Sequence, residues 1–153
     1  MKPEALLKLT TNYLKKLNEA STMYVAVGLP LEKVGGEVYE DSDVTILDVG
    51  ESHEYGIGVP VRSFLRMPFD VEKKTISTEI EKQFEKVFFG NSNVKRALGR
   101  VGMSARNVVL KAFRTGGFGQ WKDISQETKN AKKSSKILIN TGTLRGAITW
   151  VVR

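Results

Sequence analysis

The chain has 153 residues, of which 24 are Lys or Arg and 17 are Asp or Glu, so its formal net charge is +7. It contains no cysteine, which excludes a disulfide framework, a thiolate metal site and a thiol nucleophile. Its single histidine excludes multi-histidine metal sites. The length and the 41% hydrophobic fraction fit one globular domain spanning residues 1–153. No segment has the ~18 consecutive apolar residues of a membrane span, so we expect no membrane contact.

Charge is divided unevenly along the chain. Residues 1–90 carry 11 basic and 15 acidic side chains, a net charge of −4, whereas residues 91–153 carry 13 basic and 2 acidic, a net charge of +11. The stretch between Gly35 and Val61 has no Lys or Arg, and its acids are Glu37, Glu40, Asp41, Asp43, Asp48, Glu51 and Glu54. An acidic middle and a basic end on one chain are typical of complementary contact patches.

The first predicted element is a helix over residues 3–20. Pro3 suits a first helical turn, and apolar residues recur at helical spacing from Leu6 to Leu17. A half-buried strand follows over residues 23–29, where apolar side chains alternate. Residues 30–43, which contain Gly and Ser breakers, are predicted to form a flexible acidic loop.

The next two segments are harder to assign. Residues 44–49 fit a short helix capped by Ser42 or Asp43, and their β-branched side chains fit a strand nearly as well. The stretch from Arg62 to Phe69 is predicted to be extended, because Pro68 disfavours helical geometry at the preceding residue.

Two long helices and a final strand complete the predicted fold. An apolar stripe from Val71 to Phe88 predicts the first helix, and Asn91 or Ser92 caps a second with apolar spacings of four and three. A short connection makes the pair antiparallel neighbours. Alternation over residues 148–153 predicts the strand. The fold class is therefore α+β, with a small antiparallel sheet packed against two long antiparallel helices, plus an N-terminal helix.

Catalytic motifs are weak in this sequence. Thr115-Gly116-Gly117-Phe118-Gly119 lacks the ending of a phosphate-binding loop and is more typical of a flexible hinge. His53 has no second histidine at zinc-helix spacing. No Gly-x-Ser-x-Gly elbow supports a Ser–His–Asp hydrolase, although scattered triad residues leave that alternative open. We expect no enzyme activity and no cofactor.

The basic end of the chain favours a second class, a nucleic-acid-binding module. Its lysines are Lys122, Lys129, Lys132, Lys133 and Lys136, with the aromatic residues Phe118 and Trp121 just upstream. Mobile positive charge binds phosphates, and exposed aromatic rings stack on bases. No helix-turn-helix, RNP or zinc-finger pattern is present, and Trp121 fits a packing anchor equally well.

Two segments together resemble the neck and tail-completion proteins of tailed bacteriophages, also described as virion-morphogenesis or head–tail joining proteins. The first segment is Glu54-Tyr55-Gly56 and Val59-Pro60-Val61-Arg62-Ser63-Phe64-Leu65-Arg66. The second is Trp121, Ser125, Thr128 and Lys132, followed by Leu138-Ile139-Asn140-Thr141-Gly142-Thr143-Leu144-Arg145 and a closing strand. Ser63 stands where the family usually has proline, and Asn140 where it usually has aspartate.

The resemblance implies a structural subunit without catalysis. Such proteins form homo-oligomeric rings, usually of six subunits, in the neck or at the end of the tail. The expected partners are other copies, other neck proteins and tail-tube proteins, with non-specific DNA contact in the lumen. The expected location is the virion, after synthesis in the cytoplasm of a bacterial host. Opposed charge patches suit such a ring, because each subunit meets its neighbour with two different surfaces.

The candidate subunit-interface residues are Glu54, Tyr55, Arg62, Phe64, Arg66, Trp121, Arg145 and Trp150. Arg62 and Arg66 are expected to pair with the acidic middle of a neighbour. Phe64 is expected to pack its extended segment against the long helices, and Trp150 to anchor the last strand.

Overall fold

The computed structural model describes residues 2–39, 43–131, 136–138 and 142–153. In chain order its elements are α1 (Pro3–Thr22), β1 (Val25–Gly28), α2 (Leu31–Val34), α3 (Ile46–Tyr55), α4 (Arg66–Val71), α5 (Lys73–Phe88), α6 (Val94–Thr115), α7 (Gln126–Ala131), α8 (Thr143–Ala147) and β2 (Thr149–Val152). Helices and a two-stranded antiparallel sheet together confirm the predicted α+β class.

The sheet joins the two ends of the chain. β1 pairs antiparallel with β2, so that Val27 lies opposite Trp150. Beyond the strands, the backbone groups of Tyr24 and Arg153 exchange two hydrogen bonds of 2.8 and 2.9 Å. Both strands were predicted from alternating apolar residues, and both are confirmed.

Helix α6 is the centre of the packing. It contacts α4, α5 and both strands, and its buried residues are Val94, Ala97, Leu98, Val101, Gly102, Ala105, Val108, Val109, Ala112 and Phe113. The side chain of Asn93 caps it by accepting a 2.8 Å hydrogen bond from the Arg96 backbone N–H. The predicted caps, Asn91 and Ser92, were therefore one or two residues early.

A glycine in α6 allows the sheet to approach the helix closely. A β-carbon at Gly102 would lie 2.5 Å from Cδ1 of Trp150 and 2.8 Å from a methyl carbon of Val25. No side chain larger than hydrogen fits between these groups without displacement. The Trp150 ring therefore packs directly on the α6 backbone and anchors β2, as predicted.

Residues 44–49 begin a helix and not a strand. Thr45 precedes α3, and its hydroxyl accepts a 3.1 Å hydrogen bond from the Asp48 N–H. The Asp48 carboxylate in turn accepts a 3.1 Å bond from the Thr45 N–H. This capping box satisfies two backbone donors, which favours the helix over the strand. The cap is Thr45, not Ser42 or Asp43.

The region predicted as an acidic loop contains ordered backbone structure. Residues Leu31–Val34 form the short helix α2, and Val38 makes an isolated antiparallel bridge with Thr45. Residues 40–42 of the predicted loop lie outside the described residues.

Helix α1 confirms the predicted N-terminal helix, but none of its residues is buried. It is attached by Tyr13, whose ring centroid lies 5.3 Å from that of Phe88, and by Lys16, whose Nζ donates a 2.5 Å hydrogen bond to the Val87 carbonyl. Ala20 packs against the cluster formed by α5 and α6. The large apolar side chains of α1 are 42–69% exposed: Leu6, Leu7, Leu9, Tyr13, Leu14 and Leu17.

Candidate functional site

A buried carboxylate lies where the residues of the phage-like motifs converge. Glu54 is only 4% exposed and occupies the last turn of α3. Its Oε2 accepts hydrogen bonds from the backbone N–H groups of Phe64 at 2.7 Å and Leu65 at 2.9 Å. Its Oε1 accepts from the Ser63 hydroxyl at 2.8 Å and from Arg66, through the backbone N–H at 3.2 Å and the side-chain Nε at 2.9 Å.

These bonds satisfy backbone N–H groups at the start of α4 that have no acceptor within the helix. The N–H of Met67 donates to the Ser63 hydroxyl at 3.0 Å, and Pro68 has no N–H to satisfy. Glu54 supplies the remaining acceptors and places a negative charge at the positive end of the helix. Arg62–Phe69 was predicted to be extended throughout, and this is wrong from Arg66 onward, because a carboxylate distant in the sequence completes the first turn.

The environment of Glu54 favours its ionised form. Burial alone would raise the pKa of this carboxyl, but hydrogen bonds from the Leu65 N–H, Arg66 and Ser63 oppose burial and bring the pKa below its usual value. A carboxylate offers about four lone-pair positions, and five donors already occupy this one. The group therefore orders the surrounding chain and has no acceptor position left for a substrate.

The second motif joins the same network through Trp121. The Trp121 indole N–H donates a 3.1 Å hydrogen bond to the Ser63 carbonyl. Its ring packs edge-on against Phe113 of α6, with centroids 5.7 Å apart, and the Phe64 ring centroid lies 5.5 Å from that of Phe113. Phe64 thus packs its segment against a long helix, as predicted. Trp121 is 8% exposed, so it fits the alternative of a packing anchor and not that of an exposed ring that stacks on bases.

Arg62, of the first motif, is buried and contacts residues beside both motifs. It is 6% exposed, and its Nε donates a 3.1 Å hydrogen bond to the Lys122 carbonyl. Its backbone N–H donates to the His53 carbonyl at 2.8 Å. Burial lowers the pKa of this guanidinium, while the charge of Asp123 opposes the shift. Arg62 was expected to pair with a neighbouring subunit. Its side chain is buried within its own subunit and is not accessible for that contact.

The eight interface candidates separate into enclosed and accessible residues. Glu54, Arg62, Phe64 and Trp121 are buried within one subunit, so their contacts need no second chain. The accessible candidates are Tyr55 and Arg66, both exposed, and Arg145 and Trp150, both half-buried.

Arg66 forms an ion pair with an acidic residue of its own chain. Its guanidinium pairs with Glu54 and lies 4.7 Å from the centroid of the Tyr55 ring. A cation over an aromatic face is electrostatically favourable, and the charge of Glu54 raises the pKa of Arg66 through the hydrogen bond between them. The expected partner of Arg66 was the acidic middle of another subunit, whereas the observed partner is the acidic middle of the same one.

The glycine-rich segment after α6 is a hydrogen-bonded turn. Gly116, Gly117, Phe118 and Gly119 all have positive φ between 54° and 78°. The Trp121 N–H donates to the Gly116 carbonyl at 3.0 Å, and a β-carbon at Gly117 would lie 2.3 Å from the indole ring. The predicted hinge is thus a turn in which Gly117 makes room for Trp121.

A depression of about 430 Å³ beside the network gathers His53, Asp123 and Ser125. The Ser125 hydroxyl accepts the Thr128 N–H at 3.2 Å and so caps α7. Asp123 pairs with Lys129 at 2.7 Å. These contacts give the serine and the aspartate structural roles, in contrast to the triad considered from the sequence.

Within the part of the chain that the structure describes, no three side chains of the His, Asp and Glu types come together in a group that would hold a metal ion. Within the same residues, every helix is too short or too polar to cross a bilayer.

The two sequence motifs contain the residues of the Glu54 network, but they did not predict the roles of these residues. Glu54, Ser63 and Trp121 are separated by up to 67 positions, and only the fold makes them neighbours. The role of Ser63 was missed: its hydroxyl and carbonyl link Glu54, Met67 and Trp121. Comparison with family models, curated proteins and solved structures finds no match to this chain, so its kinship with the phage neck proteins stays a prediction.

Proposed function

We propose that this protein is a structural subunit of a tailed-phage neck or tail end, a tail-completion or head–tail joining protein. In this role it forms a homo-oligomeric ring through which DNA passes, and it acts by contact and not by catalysis. We further propose that the small sheet packs against the two long helices, α5 and α6, and that these helices run antiparallel.

The observation that carries the proposal is the convergence of the two motifs. Glu54 and Ser63 of the first motif and Trp121 of the second belong to one hydrogen-bonded network. Their convergence supports the reading of both segments as parts of one family pattern.

Unpaired charge supports the ring. The acidic surface, at the Val38–Thr45 bridge and the first turns of α3, comprises Glu37, Asp43, Asp48 and Glu51. The basic surface, at the end of α5 and the start of α6, comprises Lys86, Lys95, Arg96 and Arg100. The ion pairs of the described residues include no member of either surface. Opposite charges that form no ion pair within the described residues suit a head-to-tail contact between subunits.

Charge reversal tests this contact. The variants Arg96→Glu/Arg100→Glu and Glu37→Lys/Glu51→Lys each place like charges against each other, so neither is expected to assemble alone. Their equimolar mixture restores opposite charges at every contact and is expected to assemble. Sedimentation velocity at low salt measures the outcome, because screening weakens exposed charges.

A matched control is Lys74→Glu/Lys82→Glu, which reverses two exposed lysines of α5 outside the basic surface. This variant should assemble like the wild type. A mixture that sediments as the two separate variants do would contradict the charge contact.

The biological role is tested in the phage or prophage that carries the gene. Inactivation of the gene should leave filled heads and separate tails, and complementation should restore joined particles. Electron microscopy of the lysate distinguishes these states. Normal joined particles without the protein would contradict the proposed function.

The alternative is a nucleic-acid-binding module, favoured by one observation. Lys86, Arg96 and Arg100 line a common depression, and no acidic residue lines it. Retention on DNA at about 0.15 M salt, with a steep loss as salt rises, would support this function. Arg96→Glu/Arg100→Glu would then abolish retention, whereas Glu37→Lys/Glu51→Lys, which keeps the basic surface, would still be retained.

A further inference from the structure

The exposed face of α1 is an apolar feature that the proposed function leaves unused. Five leucines and Tyr13 along this helix are 42–69% exposed. Single exposed leucines are ordinary on protein surfaces, but a continuous row on one helix is not. The row therefore needs an occupant.

The attachment of α1 to its own subunit uses a different side of the helix. Tyr13, Lys16 and Ala20 make the described contacts with α5 and α6. Leu7 and Leu14 take part in none of these contacts and are 69% and 59% exposed. The subunit therefore covers one side of α1 and leaves the leucine row open.

The open row has the spacing of a helix-pairing seam. We define the seam as Leu7, Thr10, Leu14 and Leu17, with intervals of three, four and three residues. This is the a and d spacing of a coiled coil. The polar member fits an apolar contact, because the Thr10 hydroxyl already donates a 2.9 Å hydrogen bond to the Leu6 carbonyl.

The charges around the seam permit pairing with an identical helix. The flanking positions are Glu4, Leu6, Thr11, Tyr13, Asn18 and Ala20, of which only Glu4 is charged. Lys8 and Lys15 follow the seam leucines at the outward b positions, so two copies do not bring these lysines together. Like charges therefore do not oppose association of two α1 helices.

The apolar area fits one side of a small interface. Four leucines lie in or beside the seam, Leu6, Leu7, Leu14 and Leu17, and they are about half exposed. At ~120 Å² for each side chain they present roughly 270 Å². One side of a standard interface has about 450 Å² of apolar area, so the seam suits a contact smaller and weaker than the standard one.

We propose that the α1 helices of two copies of this chain pair along the seam and form a two-helix contact. This contact is distinct from the head-to-tail contact of the proposed ring, and it does not depend on the phage role. In an assembly, the two-helix contact links subunits of different rings, or subunits that are not in head-to-tail contact.

Sedimentation equilibrium of the full chain tests the pairing. At about 0.2 mM the wild type should contain dimers, since a contact of this size is expected to be micromolar or weaker. Leu7→Lys/Leu14→Lys puts two charges in the seam and should weaken dimerisation at least ~100-fold. Ala5→Lys/Asn12→Lys adds the same charge at outward f positions and should leave it unchanged.

Cross-linking gives a second measurement. The sequence has no cysteine, so Leu14→Cys introduces a unique thiol in the seam and Lys15→Cys a unique thiol one residue outside it. A short bismaleimide should yield covalent dimers of the first variant and few of the second.

Folding is checked for each variant by circular dichroism and thermal melting, and the seam variants should melt like the wild type because these side chains are exposed. A wild type that stays monomeric at about 1 mM overturns the pairing, as does equal dimerisation of the seam and control variants. Loss of the charge contact with retention of α1 dimers would contradict the ring and leave the pairing intact.

Discussion

Helices α1 and α6 have similar lengths and similar amphipathic sequences, yet their environments are opposite. α6 has 22 residues and buries ten of them, whereas α1 has 20 residues and buries none. The two helices differ in what covers them: α6 contacts both strands and three helices, while α1 touches its subunit along one side. Apolar periodicity therefore identifies a face that needs a partner, without saying whether the partner lies in the same chain.

The largest expected effect compares one position on each helix. Val101 of α6 is 5% exposed, so Val101→Asp buries an unpaired charge and should lower the free energy of unfolding by about 4 kcal/mol or more. Leu14→Asp in α1 alters a side chain that is 59% exposed and should change it by less than ~0.5 kcal/mol. Urea denaturation at a concentration that favours monomers measures both. Equal losses would contradict the contrast between the helices.

A second comparison lies within α3. Glu54→Gln keeps the shape of the side chain, but its amide turns a donor toward backbone N–H groups that need an acceptor. The unsatisfied donors should cost roughly 2–4 kcal/mol. The control is Glu51→Gln, an exposed acid one turn earlier, which should stay within about 0.5 kcal/mol of the wild type. If both variants melt alike, the network contributes nothing to stability.

The same carboxylate should make stability depend on pH. The pKa of Glu54 is lowered in the folded state from the ordinary value of 4.5, so its stabilisation is complete above pH 4.5. It is lost as the pH falls through the lowered folded-state pKa. The difference in unfolding free energy between wild type and Glu54→Gln should therefore shrink below pH 4.5. A difference that stays constant at acid pH would show that the charge is not responsible.

The smallest expected effect compares two glycines of α6. A β-carbon at Gly102 collides with Trp150 and Val25, whereas one at Gly99 has open space around it. Gly102→Ala should destabilise by about 1–3 kcal/mol through overpacking, partly offset by the helix propensity of alanine. Gly99→Ala should stabilise by up to about 1 kcal/mol. Melting temperatures that shift in the same direction would contradict the close approach of the sheet.

Local patterns predicted most of the secondary structure. The helices over residues 3–20 and 94–115 and the two strands follow from periodicity, because each pattern is complete within its own segment. The start of α4 was not predictable in this way. The residue before Pro68 is disfavoured in a helix, and this preference is overcome by Glu54, which is ten or more positions earlier.

The candidate residues were predicted to lie at a subunit interface, and that role stays a prediction. Glu54, Arg66 and Trp121 were selected as one functional set, and the structure brings them within one network. They were expected at an interface, because a single sequence does not distinguish a charge that pairs within its own chain from one that pairs with a neighbour.

The buried carboxylate has a consequence for exchange of amide hydrogens with solvent. The Phe64 and Leu65 amides precede α4 and belong to no strand, yet both donate to Glu54 in a buried environment. They should exchange with deuterium only when α3 separates from this segment, and therefore as slowly as amides in a core helix. Trp121 closes the same network from the far part of the chain. Exchange at these two amides would thus report the opening of the whole junction, in a stretch where a loop would otherwise exchange within seconds.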